Sequence, residues 1–309
     1  MLKYVVIILD DSSVSFCHYK SKGNCRLISY SDLQSALLFA MRENLNVQVI
    51  WPDYELNSSY HNLISSVDNV SIASAKSCVK ADVTVCSMSD LPSIGIRDTI
   101  LLKTDIGMLS KNIQIVKESM RNIQRLNIQF EDIEQFSENC IEQYRTILDA
   151  LSECVMAEYL SGHQIQINIL TGRMMLDKMN NCNAGVESLT IAPDGRMYIC
   201  PAFYYGGENS LGDCVTGYAI PNQQLYKLDH APICRICDAW HCNRCAWMNK
   251  KLTLEVNTPG RQQCIMAHLE REASRKLNHK LSEHGFQLYQ EIPEIKYLDP
   301  FEIACRKYK

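Results

Sequence analysis

CRICDAWHCNRC, residues 234–245, sets four cysteines into twelve positions: Cys234, Cys237, Cys242 and Cys245. A C-x2-C pair puts two sulfurs on one tight turn, a spacing used by zinc ribbons and by iron–sulfur ligands alike. The spacing points to a metal. It fits a tetrahedral four-thiolate zinc site as well as a cluster.

Outward from this stretch the cysteines thin quickly. Of 15 in the chain, Cys182, Cys200, Cys214, the quartet and Cys264 crowd into residues 182–264. Cys17, Cys25, Cys78, Cys86, Cys140 and Cys154 are scattered through the preceding part and read as small buried hydrophobes. Cys305 stands alone near the end. The change of regime places a domain boundary near Met179.

The other global features exclude several classes. The longest early apolar run, VVIIL (Val5 to Leu9), is too short for a signal segment or a membrane span. A cytoplasmic location is therefore expected, where structural disulfides are rare, with no membrane partner. Net charge is −4 with no block of like charges, so no nucleic acid is expected as a partner. At 309 residues and 46% hydrophobic side chains, the chain has room for a large core plus a smaller module.

The first part alternates strand and helix patterns. Lys3 to Leu9 reads as a buried strand. In SDLQSALLFAMREN, Leu33, Ala36, Leu37, Ala40 and Met41 recur at helical spacing, which predicts an amphipathic helix capped by Ser31. NVQVIW (46–51), DVTVCS (82–87), TILLKT (99–104) and RLNIQF (125–130) read as strands, and Ser110 to Met120 as a helix. A long helix follows in which Ile141, Tyr144, Leu148, Leu151 and Val155 repeat, with Ser137 at its N-cap and Phe136 against Ile141 as a staple. HQIQINIL closes the series as a strand. Strands separated by helices predict an α/β fold with a parallel sheet and helices outside, doubly wound or a partial barrel.

LTIAPDGRMYIC ends in Cys200. Pro193, Asp194 and Gly195 supply a tight turn between two short alternating runs, so a hairpin brings its flanks, and with them Cys182 and Cys200, toward one place. HLEREASRKLNHKL after Cys264 reads as an amphipathic helix, and EIPEIKYLDPFEI as an extended tail. Trp240, His241 and Trp247 interleave with the quartet as a shell that excludes water around a metal.

The order Cys182, Gly195, Cys200, quartet, Cys264 resembles the seven-cysteine signature of SPASM domains, and LGD (Leu211 to Asp213) is similar to the LGN-type stretch such domains carry. These domains lie C-terminal to radical SAM enzymes that modify ribosomal peptides, and usually hold two auxiliary [4Fe-4S] clusters. The resemblance implies Cys182, Cys200 and Cys245 as ligands of a first cluster, with Cys214 or a peptide thiolate as the fourth, and Cys234, Cys237, Cys242 and Cys264 as the set for a second. It departs in the quartet, whose last gaps are four and two where the family usually has five and three.

A radical SAM core carries C-x3-C-x2-C after its first strand. Here that place reads DDSSVSFCHY, with Asp10 and Val14 at two of the positions and Cys17 at the third. WPDYEL from Trp51 stands where a GGE-like turn belongs, and the GGE at Gly206 to Glu208 reads as a loop within the cysteine-rich region. The first part thus resembles a degenerate radical SAM partial barrel, and SFCHY with VIWPD resembles the CXXX-repeat peptide maturase group.

The expected organisation is a degenerate core over 1–178, a small Cys-rich SPASM-like iron–sulfur domain over 179–270, and a C-terminal helix and tail over 271–309. The resemblance implies a maturation protein for a cysteine-containing precursor peptide, accessory to a radical SAM enzyme, with two [4Fe-4S] clusters and without S-adenosylmethionine of its own. The alternatives are a cluster-dependent oxidoreductase or maturase in its own right, and a zinc-stabilised interaction module.

Overall fold

The computed structural model describes residues 1–21, 26–176, 178–179, 182–286 and 295. Along the chain run β1 (Tyr4–Ile8), α1 (Tyr30–Arg42), β2 (Asn46–Ile50), α2 (Ser58–Ile64), β3 (Asn69–Ser74), β4 (Val83–Ser87) and β5 (Arg97–Thr104). There follow α3 (Ile106–Lys111), α4 (Ile113–Ser119), β6 (Ile123–Phe130), α5 (Asn139–Leu160) and β7 (Gln166–Ile167). The rest comprises β8 (Ser188–Ile191), β9 (Arg196–Tyr198), α6 (Pro201–Tyr205), β10 (Gly212–Asp213), β11 (Gly217–Tyr218), α7 (Ala246–Thr253) and α8 (Arg261–Glu283).

The chain divides into two compact units, each built from two stretches: Met1–Val85 with Asn183–Lys227, and Cys86–Cys182 with Leu228–Lys309. In the first, β1 pairs in parallel with β2 on one side and β8 on the other, in the register Val5↔Val47 and Val5↔Leu189. Parallel pairing continues through β3 to β4, and β9 and β10 add antiparallel strands beyond β8. Val5 and Ile7 on one face of β1, and Leu9 just beyond it, are buried in one apolar cluster with Leu33, Leu37 and Ala40 of α1. The expected helix is present, but its cap is Ser29, whose Oγ accepts from Asp32 N at 3.0 Å, two residues before Ser31. The β8–β9 hairpin also forms as expected, with Gly195 at φ +77, a conformation that favours glycine.

In the second unit β5, β6 and β7 are parallel, and one apolar cluster joins them to α5 and α8. Tyr144, Leu148, Leu151 and Val155 of α5 meet Ile265, Leu269, Leu277 and Leu281 of α8 in it. Cys245 and Met248 belong to the same cluster, so the cysteine quartet is rooted in the core of this unit.

Three sequence expectations shift. The helix expected over 110–120 is two, α3 and α4, divided at Asn112, whose side chain donates to Met108 O at 2.9 Å and competes with the helical ladder. Helix α5 begins at Asn139 with Glu138 at its cap, one residue beyond Ser137. The last strand keeps only two residues, because the Asn168 side chain takes over the pairing, bonding Ile128 N at 2.8 Å and Ile128 O at 2.9 Å. The tail EIPEIKYLDPFEI, apart from Ile295, lies outside the described residues, as do Cys25 and Cys305. Among the described residues no helix is long and apolar enough to cross a membrane.

Candidate metal centre

Four of the predicted ligands lie at one cavity. Cys234, Cys237, Cys242 and Cys264 all line one cavity of about 210 Å³, together with His268, Arg244 and an apolar rim that includes Ile233, Ile236 and Pro259. The first three come from a loop built of tight turns: Cys237 N donates to Cys234 O and Cys242 N to Ala239 O, each at 3.0 Å. Cys264 comes from the first turn of α8, whose N-terminus begins three residues earlier than that cysteine.

Helix α8 also fixes the loop. Asp238, next to Cys237, is buried and accepts from Arg271 Nη1 at 2.7 Å and Arg275 Nη2 at 2.6 Å. Arg173 donates to the Asp238 carbonyl at 3.0 Å. Burial alone raises the pKa of the Asp238 carboxyl, but the Arg271 hydrogen bond and the three guanidinium charges more than reverse it and hold it below the ordinary value. On the other side of the loop His241 Nε2 lies 3.0 Å from Glu270 Oε2, and the other oxygen of Glu270 accepts from Tyr144 OH. His241, expected in a water-excluding shell, is thus a tether between the loop and α8.

Burial pushes the Cys242 thiol up to about 12, with the charges of Cys234 and Cys237 adding to it, and pushes Cys234 up to about 11. Arg244 opposes this at Cys234. Its guanidinium is buried, and its own pKa is lowered by desolvation while Cys234, Cys182 and Cys242 raise it. A cation buried among thiols favours their ionised, metal-binding form. Neither Arg244 nor Asp238 was singled out by the sequence, in which only spacing carries a signal.

Among the described residues no group of three or more His, Cys, Asp or Glu side chains stands ready to hold a single metal ion. Cys234, Cys237, Cys242 and Cys264 nonetheless line one cavity. Four cysteines are a donor set that suits a [4Fe-4S] cluster, with each thiolate on its own iron, and also a tetrahedral zinc ion.

The other predicted set divides between the two units. Cys182 and Cys245 belong to the second, where Cys182 N donates to Asn243 O at 2.9 Å and the Cys182 charge, after burial, helps push the Cys245 thiol up to about 12. Cys245 also caps α7, its sulfur accepting from Met248 N at 3.5 Å. Cys200 belongs to the first unit and precedes α6. Cys214, also in the first unit, lies in the apolar cluster of β1 and α1, where burial pushes its thiol up to about 11.

The loop that follows β1 is braced by hydrogen bonds. Asp10 is fully buried and accepts from Ser12 N and Tyr54 OH, both at 2.8 Å. Asp11 accepts from Tyr204 OH at 2.6 Å. Trp51 of the WPD stretch is buried and stacks on His61 at 4.8 Å.

No family model and no curated protein matches the chain. Solved structures do. Histidine-tagged anSMEcpe with bound AdoMet is 12% identical with a TM-score of 0.64, covering 99% of each chain. Native anSMEcpe with bound AdoMet and Cp18Cys peptide is 11% identical with a TM-score of 0.63, covering 91% of this chain and 99% of its own. The same protein with the Kp18Cys peptide gives 11% and 0.63 over 90% and 99%. These likenesses establish the fold: the expected α/β class, partial-barrel-like with a parallel sheet, outer helices and a C-terminal region.

Proposed function

We propose that this chain is a maturation protein for a ribosomally made, cysteine-containing peptide, and that it serves as accessory or substrate-recognition partner of a radical SAM enzyme. The observation that carries the reading is the convergence of Cys234, Cys237, Cys242 and Cys264 on one cavity. These four would hold one [4Fe-4S] cluster. Cys182, Cys200 and Cys245 would hold a second, with its fourth position filled by Cys214 or by the thiolate of a bound peptide. Such clusters supply electron transfer and, at an open iron, thiolate binding. The chain's own residues hold the cysteine loop on α8 through Asp238 and His241, and place Arg244 to compensate the thiolate charge. The module boundaries that accompany this reading are 1–178, 179–270 and 271–309. The peptide-bound state of anSMEcpe supports a peptide partner.

Anaerobically reconstituted protein should carry up to about eight irons per chain with matching acid-labile sulfide, as two cubanes imply. Zinc without sulfide would support the zinc-stabilised interaction module instead.

A second reading has the AdoMet of anSMEcpe in its favour: that this chain binds the same cofactor and is a maturase in its own right. Asp10, Val14 and Cys17 at the place of the triplet speak against it, since three thiolates are needed there to hold a cluster with one open iron. Incubating the dithionite-reduced chain with S-adenosylmethionine separates the two, and 5'-deoxyadenosine formation by the isolated chain would establish the second.

A further inference from the structure

Cys264 and His268 are four residues apart on α8, so they share a face of the helix, and both line the cavity. His268 Nε2 lies 3.6 Å from Cys237 Sγ, across 31 positions of sequence. The backbone N–H of Ala239 points at the same sulfur from 3.4 Å. Two nitrogens therefore address Cys237, while Cys242 is met by Gln263 Nε2 at 3.9 Å. We propose that His268 donates a hydrogen bond from Nε2 to the Cys237 sulfur and thereby raises the reduction potential of a cluster held by Cys234, Cys237, Cys242 and Cys264. The inference rests on the cluster reading of this cavity.

The direction of the bond follows from the chemistry of a ligand. A metal-bound cysteine is a thiolate and has no proton to give, so the imidazole is the donor. Reduction adds an electron to the cluster, and a donor aimed at a ligand sulfur stabilises the more negative state, which moves the potential upward.

The distance by itself has a second interpretation. Two ligands of one tetrahedral ion, with bonds of about 2.3 Å to sulfur and about 2.05 Å to nitrogen, also stand about 3.6 Å apart. The donor count favours the first on the cluster reading: four cysteines besides His268 line the cavity, enough to fill the terminal positions of one cubane without the imidazole. The imidazole then stands outside the coordination sphere as a positioning residue.

The test compares the reconstituted full-length chain with His268→Leu and His268→Gln. Iron and sulfide per chain should stay unchanged in both. In a redox titration one wave should move to lower potential in His268→Leu, with partial return in His268→Gln, whose amide can still donate. Pulsed EPR of the 15N-histidine-labelled protein should show only the weak coupling of a hydrogen-bonded nitrogen. An unmoved wave in His268→Leu overturns the inference and leaves the clusters standing. Loss of iron in His268→Leu, or a nitrogen coupling of the size a direct ligand gives, overturns it in favour of histidine ligation. Zinc without sulfide in the wild-type chain overturns the cluster reading and this inference with it.

Discussion

Arg271 Nη1 closes on Asp238 Oδ1 at 2.7 Å with both side chains almost wholly buried, 1% and 3% exposed, and so ties the residue beside Cys237 to helix α8. An ion pair taken out of water contributes little net stability, because desolvation offsets the attraction, but losing one partner strands the other charge. The bond therefore specifies where the cysteine loop lies more than it stabilises the chain.

Arg271→Leu should lower unfolding stability by roughly 1–3 kcal/mol in denaturant titration, less than the full cost of stranding a buried charge because Arg275 still pairs with Asp238. Arg42→Leu, which removes the exposed contact of Arg42 with Glu43, should change it by less than about 1 kcal/mol. Equal effects would contradict the buried, specifying role of Arg271.

Cys237→Ala and Cys242→Ala should each cost up to about four irons per reconstituted chain, one cubane's worth. Cys86→Ala should keep the full content, because Cys86 lies in the apolar cluster of the second unit away from the cavity-lining set. Unchanged iron in both ligand variants would reject the assignment.

Arg244→Leu removes the buried cation that favours the Cys234 thiolate. Metal affinity, measured by competition with a chelator, should fall roughly 10- to 100-fold, as is usual when a group supporting the ligands is lost. An affinity within about twofold of wild type would show that Arg244 has no such role.

Cys214→Ala distinguishes the two sources of a fourth ligand for the other cluster. Because Cys214 is packed in the apolar cluster of β1 and α1, the absorption and EPR spectra of the variant should match wild type, and both proteins should change only when a cysteine-containing peptide is added. A changed spectrum before addition would make Cys214 the ligand.

The sequence carried the parts of this arrangement that repeat at short range. Apolar spacing located β1, α1, β2, β6 and α5, since each buries a stripe that the period reveals. Cysteine spacing marked the quartet, and the resemblance to SPASM domains grouped Cys264 with three of its members, the four cysteines that line the cavity. Apolar spacing had limits. It overlooked α2 and β3, whose sequences SSYHNLI and NVSIAS are short and largely polar. The Asp238–Arg271 pair spans 33 positions and the His268–Cys237 approach 31, and no local pattern marks either. Such pairings exist only once α8 has packed against the rest of its unit, so charged and imidazole side chains that read as a solvated helix face turn out to line or brace the site.

The pairing of β1 with β8 bears on how the chain is made. Val5 to Ile7 must find Leu189 to Ile191, about 180 residues later in synthesis. At about 5–20 residues per second a ribosome needs roughly 10–40 seconds to deliver that partner. Throughout that interval one side of the most apolar strand of the sheet offers its unpaired backbone to any neighbouring nascent chain, the hazard of an open strand edge. Rare codons or a slow ribosome between these two segments would prolong the exposure, and inclusion-body formation on rapid overexpression should be relieved more by a chaperone that shields β1 during translation than by any change to the cysteines.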